Sequence, residues 1–271
     1  MVLFFFYVLL PIFQSVILSL YQWDGLGSKQ WVGVANYVEL FADEQFWVSL
    51  GNNFLWLVFF LLAPVLGLGL ALFLNQQLLG IRLIKSLFFF PFVISQVVVG
   101  LVFSWFYDPS YGILNQFVSQ FGLGPWAILA EETIVTYGII AAGLWPQVAY
   151  CMIIYLTGLN SLDPDQIEAA RMDHAKGLKM LWYIVLPQLR PATFLAIVVT
   201  VIGALRSFDL VAIMTDGGPY GSSSVLAYFM YEQSIFNYRM GYGAAIATVL
   251  FMIMNGYIAF FLWRMLRNEK K

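Results

Sequence analysis

Six stretches of this chain stay apolar for twenty residues or more, and that length leaves few folds open. They cover residues 2–21, 54–74, 83–106, 133–156, 194–214 and 242–266. A helix needs about 20 predominantly apolar residues to cross the hydrocarbon core of a bilayer, so each stretch is long enough to span one. A soluble fold is excluded by charge: 10% of the residues are charged and 61% are apolar, whereas a soluble domain carries about 25% charged residues. Such a chain has too little polar surface to meet water, and lipid must cover most of it. The expected fold is all-α: a polytopic membrane protein with six transmembrane helices in a single domain, residues 1–271. A net charge of −2 gives no basis for a nucleic-acid partner, and the one cysteine, Cys151, has no partner for an internal disulfide. The run from Val2 to Leu10 lacks the basic segment and small-residue cleavage site of a signal peptide, so it reads as part of a retained helix.

Orientation follows from the cations. Arg82 and Lys85 lie between the second and third stretches. Four more basic residues lie between the fourth and fifth, and another four, ending in Lys270 and Lys271, in the tail. Ten of the thirteen basic residues therefore share one side, against Lys29 and Arg239 on the other, with Arg206 inside the fifth stretch. The positive-inside tendency makes the richer side cytoplasmic, with both termini there and the connections 22–50, 107–132 and 215–241 outside.

The connection 159–191 has a pattern of its own. Asp163-Pro164-Asp165-Gln166 reads as a helix start: Asp163 caps free N–H groups, Pro164 fits the first turn and Gln166 sits at the third position. The helix continues through Glu168-Ala169-Ala170 to Asp173. A second amphipathic stretch, Leu178 to Leu186, is expected to stop at Pro187. Two short helices along the membrane surface account for this, and an interfacial link between two spans would look the same.

Glu168-Ala169-Ala170, then Asp173, then Ile184-x-Leu186-Pro187 resembles the EAA loop of binding-protein-dependent ABC import permeases. Other fragments resemble the sugar-permease branch in the matching order: Leu10-Pro11-Ile12, Val32-Gly33-x-x-Asn36-Tyr37, Asp108-Pro109-x-Tyr111-Gly112, Phe208-Asp209-Leu210 and Thr215-x-Gly217-Gly218-Pro219. Together they look most like the first of the two permeases in maltose- and glycerol-phosphate-type importers. The family ordinarily has a basic segment ahead of the first span, so the chain is expected to begin short of it. The family also has Gly after the Asp, where this chain has His174, followed by Gly177. His enters left-handed backbone less readily than Gly, so the turn is expected to be strained or shifted toward Gly177. His174, the only histidine, reads as a turn position, with no cluster of partners to make it a metal ligand or base.

The resemblance implies a type I ABC importer permease fold in a bacterial inner membrane. The implied partners are a second homologous permease, two cytoplasmic ATP-binding subunits and an extracytoplasmic solute-binding protein. The chain carries no G-x-x-x-x-G-K-[ST] run, so ATP would be used by the partner subunits. No catalytic residue and no cofactor of its own are expected. The coupling residues implied are Glu168, Ala169, Ala170, Asp173, His174 and Gly177. Glu168 would meet a basic group of the ATPase, while the small alanines allow close approach; a solvated helix-start carboxylate is the plainer reading of Glu168.

For the substrate path the pointers are intramembrane polar residues: Gln147 and Tyr150 on one face of the fourth span, and Thr200, Ser207 and Asp209 in the fifth. Arg206 and Asp209, three apart, are expected to pair with each other or to sit near the outer interface. Trp145, Tyr150 and Phe208 offer ring faces to a sugar or pack within the bundle. Gly67 and Gly69 are each expected to permit close helix contact. The alternative function is an ion-coupled secondary carrier or channel, which would use Arg206 and Asp209 for coupling but gives the loop 163–187 no purpose.

Overall fold

A lipid-exposed chain must satisfy its backbone polar groups within each segment, and the chain obeys this almost throughout. The computed structural model describes residues 2–76 and 80–269; Lys270 and Lys271 of the basic tail lie outside them. Helix α1 runs over residues 2–18 and ends in a hairpin of two-residue strands, β1 (Tyr21–Gln22) and β2 (Gln30–Trp31), so the first apolar stretch leaves the helix before residue 21. Helix α2 (Ala35–Ala42) leads to α3 (Glu44–Leu74), whose N-terminus is capped by the Asp43 carboxylate through the Gln45 N–H at 2.9 Å. Helices α4 (Ile81–Val93) and α5 (Gln96–Phe106) follow, then the short α6 (Ile113–Ser119) and the long α7 (Val135–Asn160). Next come α8 (Pro164–Met172), α9 (Leu178–Gln188), α10 (Arg190–Leu205), α11 (Asp209–Met214), α12 (226–236) and α13 (Met240–Glu269).

Among the described residues three helices, α3, α7 and α13, are long and apolar enough to cross a membrane unbroken. The third stretch, expected as one helix, is instead α4 and α5 meeting at 100°. Ile94 is extended there, and the Ser95 hydroxyl starts α5 by accepting from the Val98 N–H. The fifth stretch is likewise interrupted, between Leu205 and Asp209. The expected stop at Pro187 does not occur. Residues 181–185 widen into a π-helical turn, with the Leu186 N–H reaching the Leu181 carbonyl, which makes room for the proline ring. Helix α9 therefore continues to Gln188, and a 72° bend at Leu189 starts α10.

Helix α7 is the centre of the bundle: 61% of its spanning window is buried, against 33% for α3 and for α13. It packs on α3, α4, α5, α10 and α11. Its glycines allow this. A Cβ on Gly143 would lie 3.0 Å from Trp56, Phe60 and Leu210, and one on Gly158 would lie 2.8 Å from Ala192 Cβ. On the facing helix only one of the two expected glycines matters. A Cβ on Gly67 would stand 2.6 Å from Cys151 Cβ and 2.8 Å from the Met152 nitrogen, whereas Gly69 has nothing within 4 Å. At one end α3 grips the connection after α11: Asn52 donates to the Ser222 and Ser224 carbonyls at 2.6 and 2.8 Å, and Asn53 accepts the Leu226 N–H that opens α12 at 2.9 Å.

These contacts separate the two glycines experimentally. Gly67→Ala drives a methyl into the α7 backbone and is expected to cost about 1–3 kcal/mol. Gly69→Ala should change stability by no more than about 1 kcal/mol, on the stabilising side, because alanine restricts the unfolded chain. Thermal unfolding of the purified variants in detergent checks both, and equal melting points would contradict the close crossing of α3 and α7.

Candidate functional site: a capped hairpin and a polar cavity

The hairpin α8–α9 is built from terminal hydrogen bonds. The Asp163 carboxylate caps α8 by accepting from the Asp165 N–H at 3.0 Å, and its other oxygen accepts from Gln166 Nε2 at 3.0 Å. The Asp163 N–H donates to Gln188 Oε1 at 3.0 Å, which ties the start of the first helix to the end of the second. The far end of α8 closes with paired bonds, Ala175 N–H to the Ala170 carbonyl at 2.9 Å and His174 N–H to the Arg171 carbonyl at 3.1 Å. This is the Schellman arrangement, which places its left-handed residue at position 174. His174 takes it, with φ of +59°. Gly177 is also left-handed, at φ +55° and ψ −126°, a combination open essentially to glycine alone. The turn is thus not displaced from His174; it is shared between two positions.

The coupling candidates separate by exposure. Glu168, Ala169, Asp173, His174 and Gly177 are exposed along α8 and its turn, together with Met172 at 81%. Ala170 is buried, at 6%, and contributes to packing beneath the helix rather than to an outer surface. Under α8 lies a groove of about 790 Å³ between the hairpin and the ends of α3 and α7, walled by Leu72, Leu159, Ile167 and Met180, with Glu168 and Lys176 at its edge.

The second feature is a cavity of about 360 Å³ among α3, α5, α7 and α10–α11. Gln147 and Tyr150 both line it, as their shared face predicts, and so do Ser207, Asp209 and Arg206 from the break in the fifth stretch. Arg206 and Asp209 do not pair. The single ion pair among the described residues is Arg239–Glu39. The spacing of three brings side chains together only on an unbroken helix, and α10 ends before Arg206 while α11 begins at Asp209. Thr200 is not on the cavity wall. It is fully buried and accepts from Gln147 Nε2 at 2.9 Å, with its hydroxyl 3.3 Å from Cys151 Sγ, a small polar link between α7 and α10. Tyr150 stacks on Phe92 at 5.0 Å, and Trp145, which does not line the cavity, rests 5.9 Å from Phe103 on the exposed side of α7. Phe208 lies 6.1 Å from Tyr228, stacked, and 5.2 Å from Tyr231, edge-on.

Gln96, Trp56 and Phe60 lie on the wall outside the expected set. Gln96, a polar residue inside the third apolar stretch, carries the same signal as Gln147, whereas Trp56 and Phe60 read as ordinary span residues. Beyond the Phe208 layer stands Asp216, which accepts from Tyr228 Oη at 2.9 Å. Burial, and then the charge of Asp216, push the Glu232 carboxyl above the usual carboxylate range.

Comparison with known proteins shows the family. Residues 63–269 match the family model described as binding-protein-dependent transport system inner membrane component. The chain is 36% identical over 256 residues to a probable ABC transporter permease protein, YurN, of Bacillus subtilis, covering 92% of this chain and 88% of that one. It is 34% identical over 256 residues to the osmoprotective compounds uptake permease protein GgtC of Synechocystis, covering 92% and 89%. In fold it superposes on a chain of a bacterial ABC transporter involved in the import of the acidic polysaccharide alginate, with a TM-score of 0.87, 22% identity, and coverage of 100% of this chain and 93% of that one. The hairpin and the cavity wall other than Trp56 and Phe60 fall within residues 63–269, and the chain belongs to the binding-protein-dependent transport system inner membrane component family, whose members here are ABC permease subunits rather than ATPases.

Proposed function

We propose that this chain forms one half of the membrane channel of an ATP-driven importer that receives a sugar or related polyol from an extracytoplasmic binding protein. It crosses the bacterial inner membrane six times, with both termini and the α8–α9 hairpin in the cytoplasm. A second, homologous permease completes the channel. Two ATP-binding subunits use the ATP, and this chain binds no cofactor. The relatives' names point to sugars and related polyol compounds: trehalose and maltose for a Thermococcus permease, multiple sugars for a Streptococcus one, and sn-glycerol-3-phosphate for an Agrobacterium one. One of the structural neighbours is held in complex with an alginate pentasaccharide-bound periplasmic protein.

The observation that carries the reading is the hairpin. Its helix is capped at both ends and tied at its base, yet it exposes Glu168, Ala169 and Asp173, and among the described residues Glu168 has no hydrogen-bond or ion-pair partner. A rigid element with an unoccupied charged face suits a handle for another protein. Glu168→Lys should leave the membrane domain folded, because reversing one exposed charge shifts stability by about 0.5 kcal/mol or less. In a partly desolvated interface, losing a charge pair costs on the order of 2–5 kcal/mol, enough to weaken docking tenfold or more. Recovery of the ATPase on pull-down and substrate-stimulated ATP hydrolysis should both fall sharply, while the partner permease still co-purifies. Wild-type values for both would remove Glu168 from the interface.

The turn gives a second test. A non-glycine residue in left-handed backbone costs about 1–2 kcal/mol, so His174→Gly should tighten the hairpin by roughly 1 kcal/mol. Amide exchange at Ala175, whose N–H closes the turn, should slow by about fivefold, the factor that this energy gives. Faster exchange would mean that the imidazole holds the turn.

A further inference from the structure

The groove beneath the hairpin is amphipathic. Its volume of about 790 Å³ lies within the range of about 300–1,000 Å³ usual for ligand pockets. Each surrounding helix gives it an apolar wall: Leu72 from α3, Leu159 from α7, Ile167 from α8 and Met180 from α9. Charge comes only from the hairpin, through Glu168, Arg171 and Lys176. Two cations against one carboxylate leave the lining with an excess positive charge. All three side chains are exposed, and none of them forms an ion pair among the described residues.

The groove also lies at the depth where hydrocarbon gives way to headgroups. The spanning helix α3 ends at Leu74 and α7 at Asn160, next to the wall residues Leu72 and Leu159. Helix α9 meets α10 at 72°, so with α10 crossing the bilayer α9 lies close to the membrane plane. It exposes Leu178 at 73%, Trp182 at 64% and Tyr183 at 77%. Trp and Tyr carry an apolar body with a polar tip and are favoured at headgroup level. An amphipathic helix lying in that plane buries its apolar side about 5–10 Å into the boundary between headgroups and chains.

We propose that this groove holds an anionic glycerophospholipid of the cytoplasmic leaflet, with its phosphodiester at Arg171 and Lys176 and its acyl chains along Leu72, Leu159, Ile167 and Met180. The proposal rests on the importer reading above, which puts the hairpin in the cytoplasm. A soluble anion would meet the two cations but leave the apolar walls wet. A zwitterionic lipid would cover the walls but bring its own cation beside Arg171 and Lys176. A lipid of net negative charge matches both parts of the lining. The cytoplasmic leaflet supplies such lipids, and basic pockets between helices on that side suit their headgroups. A lipid held here packs between α8 and the end of α7, the helix whose Gln147 and Tyr150 line the cavity.

The test counts bound lipid. The transporter is purified with its partner subunits, stripped of lipid in detergent and titrated with phosphatidylglycerol or with phosphatidylcholine of the same chains, and the complexes are read by native mass spectrometry. Phosphatidylglycerol should bind saturably and about tenfold or more tighter than phosphatidylcholine, the preference that two cations at an anionic headgroup give. Arg171→Gln combined with Lys176→Gln should reduce that preference to about threefold or less. Arg82→Gln combined with Lys85→Gln removes the same charge from another connection on the same face and should leave the preference within about twofold of wild type. Met180→Gln, which makes an apolar wall polar, should weaken both lipids together. Equal affinity for the two lipids overturns the proposal, as does the absence of saturable phosphatidylglycerol because a partner subunit fills the groove. An equal loss in the two charge pairs overturns it in favour of a diffuse surface field, and no loss at Arg171 and Lys176 places the lipid elsewhere. Glycerol phosphate competing at the same concentration as phosphatidylglycerol overturns it in favour of a soluble anion. The same spectra report the importer reading separately: a chain that retains neither an ATP-binding subunit nor a second permease fails that reading, while the lipid preference is still read on the chain itself.

Discussion

A helix buried in lipid cannot leave a backbone N–H or C=O without a partner, and the organisation of this chain turns on where it breaks that rule. An unsatisfied group costs several kcal/mol in hydrocarbon. Irregular backbone at membrane depth is therefore tolerated only inside protein or against a water-filled space. Two apolar stretches are interrupted, at residues 94–95 and 206–208. The residues next to both interruptions, Gln96 on one side and Arg206, Ser207 and Asp209 on the other, line the same cavity. Part of the freed backbone is satisfied locally: the Ser95 hydroxyl accepts from Val98, the Ser207 hydroxyl donates to the Ala204 carbonyl at 2.8 Å, and the Phe208 N–H reaches the Arg206 carbonyl at 2.7 Å. The breaks and the cavity require each other.

The same reasoning separates what the sequence made legible from what it did not. A helical membrane fold with several spans was legible because twenty apolar residues have few alternatives, and the resemblance at Glu168-Ala169-Ala170 led to the family. Local chemistry at the hairpin start was legible too: Asp163, Pro164 and Gln166 do what their types prescribe. The breaks were not. Ile94-Ser95 has no glycine, and its nearest proline, Pro91, lies inside the preceding helix. Reading the fifth stretch as continuous then produced a false Arg206–Asp209 pair. Polarity within a span was likewise ambiguous. Gln147 faces the cavity and Thr200 does not, because a hydroxyl can be consumed by a neighbouring helix, here through Gln147 itself. Gly67 and Gly69 are identical in type, and only the position of α7 tells them apart.

Helix α7 links the two sites. It runs unbroken from Val135 to Asn160, about 39 Å at 1.5 Å per residue. Gly143, Gln147 and Tyr150 lie on the cavity wall, and Leu159, near the helix end, lines the groove under the hairpin. Gln147 and Asp163, where the hairpin begins, are sixteen residues apart, roughly 24 Å if the helical rise continued. Pro146 lies inside this helix without ending it, and its flanks are packed: Ala142, Gly143, Ala149 and Cys151 are all buried.

The hairpin joins α7 to α10, and these are the two helices that Gln147 and Thr200 hold together at 2.9 Å. Its first helix follows α7 after a short turn, and its second continues into α10 through the bend at Leu189, a residue only 1% exposed. The Asp163–Gln188 bond closes this loop at its base. If the hairpin is the ATPase handle proposed above, a force applied at Glu168 has two outcomes. It can carry α7 and α10 as one body, moving the wall that bears Gln147, Tyr150 and Arg206 relative to α5 and its Gln96. Or it can separate them, which breaks the buried Gln147–Thr200 contact and leaves polar groups unpaired at a cost of about 1–3 kcal/mol. In the proposed reading the first applies, and the boundary that would move lies between α5 and the α7–α10 unit, along the cavity.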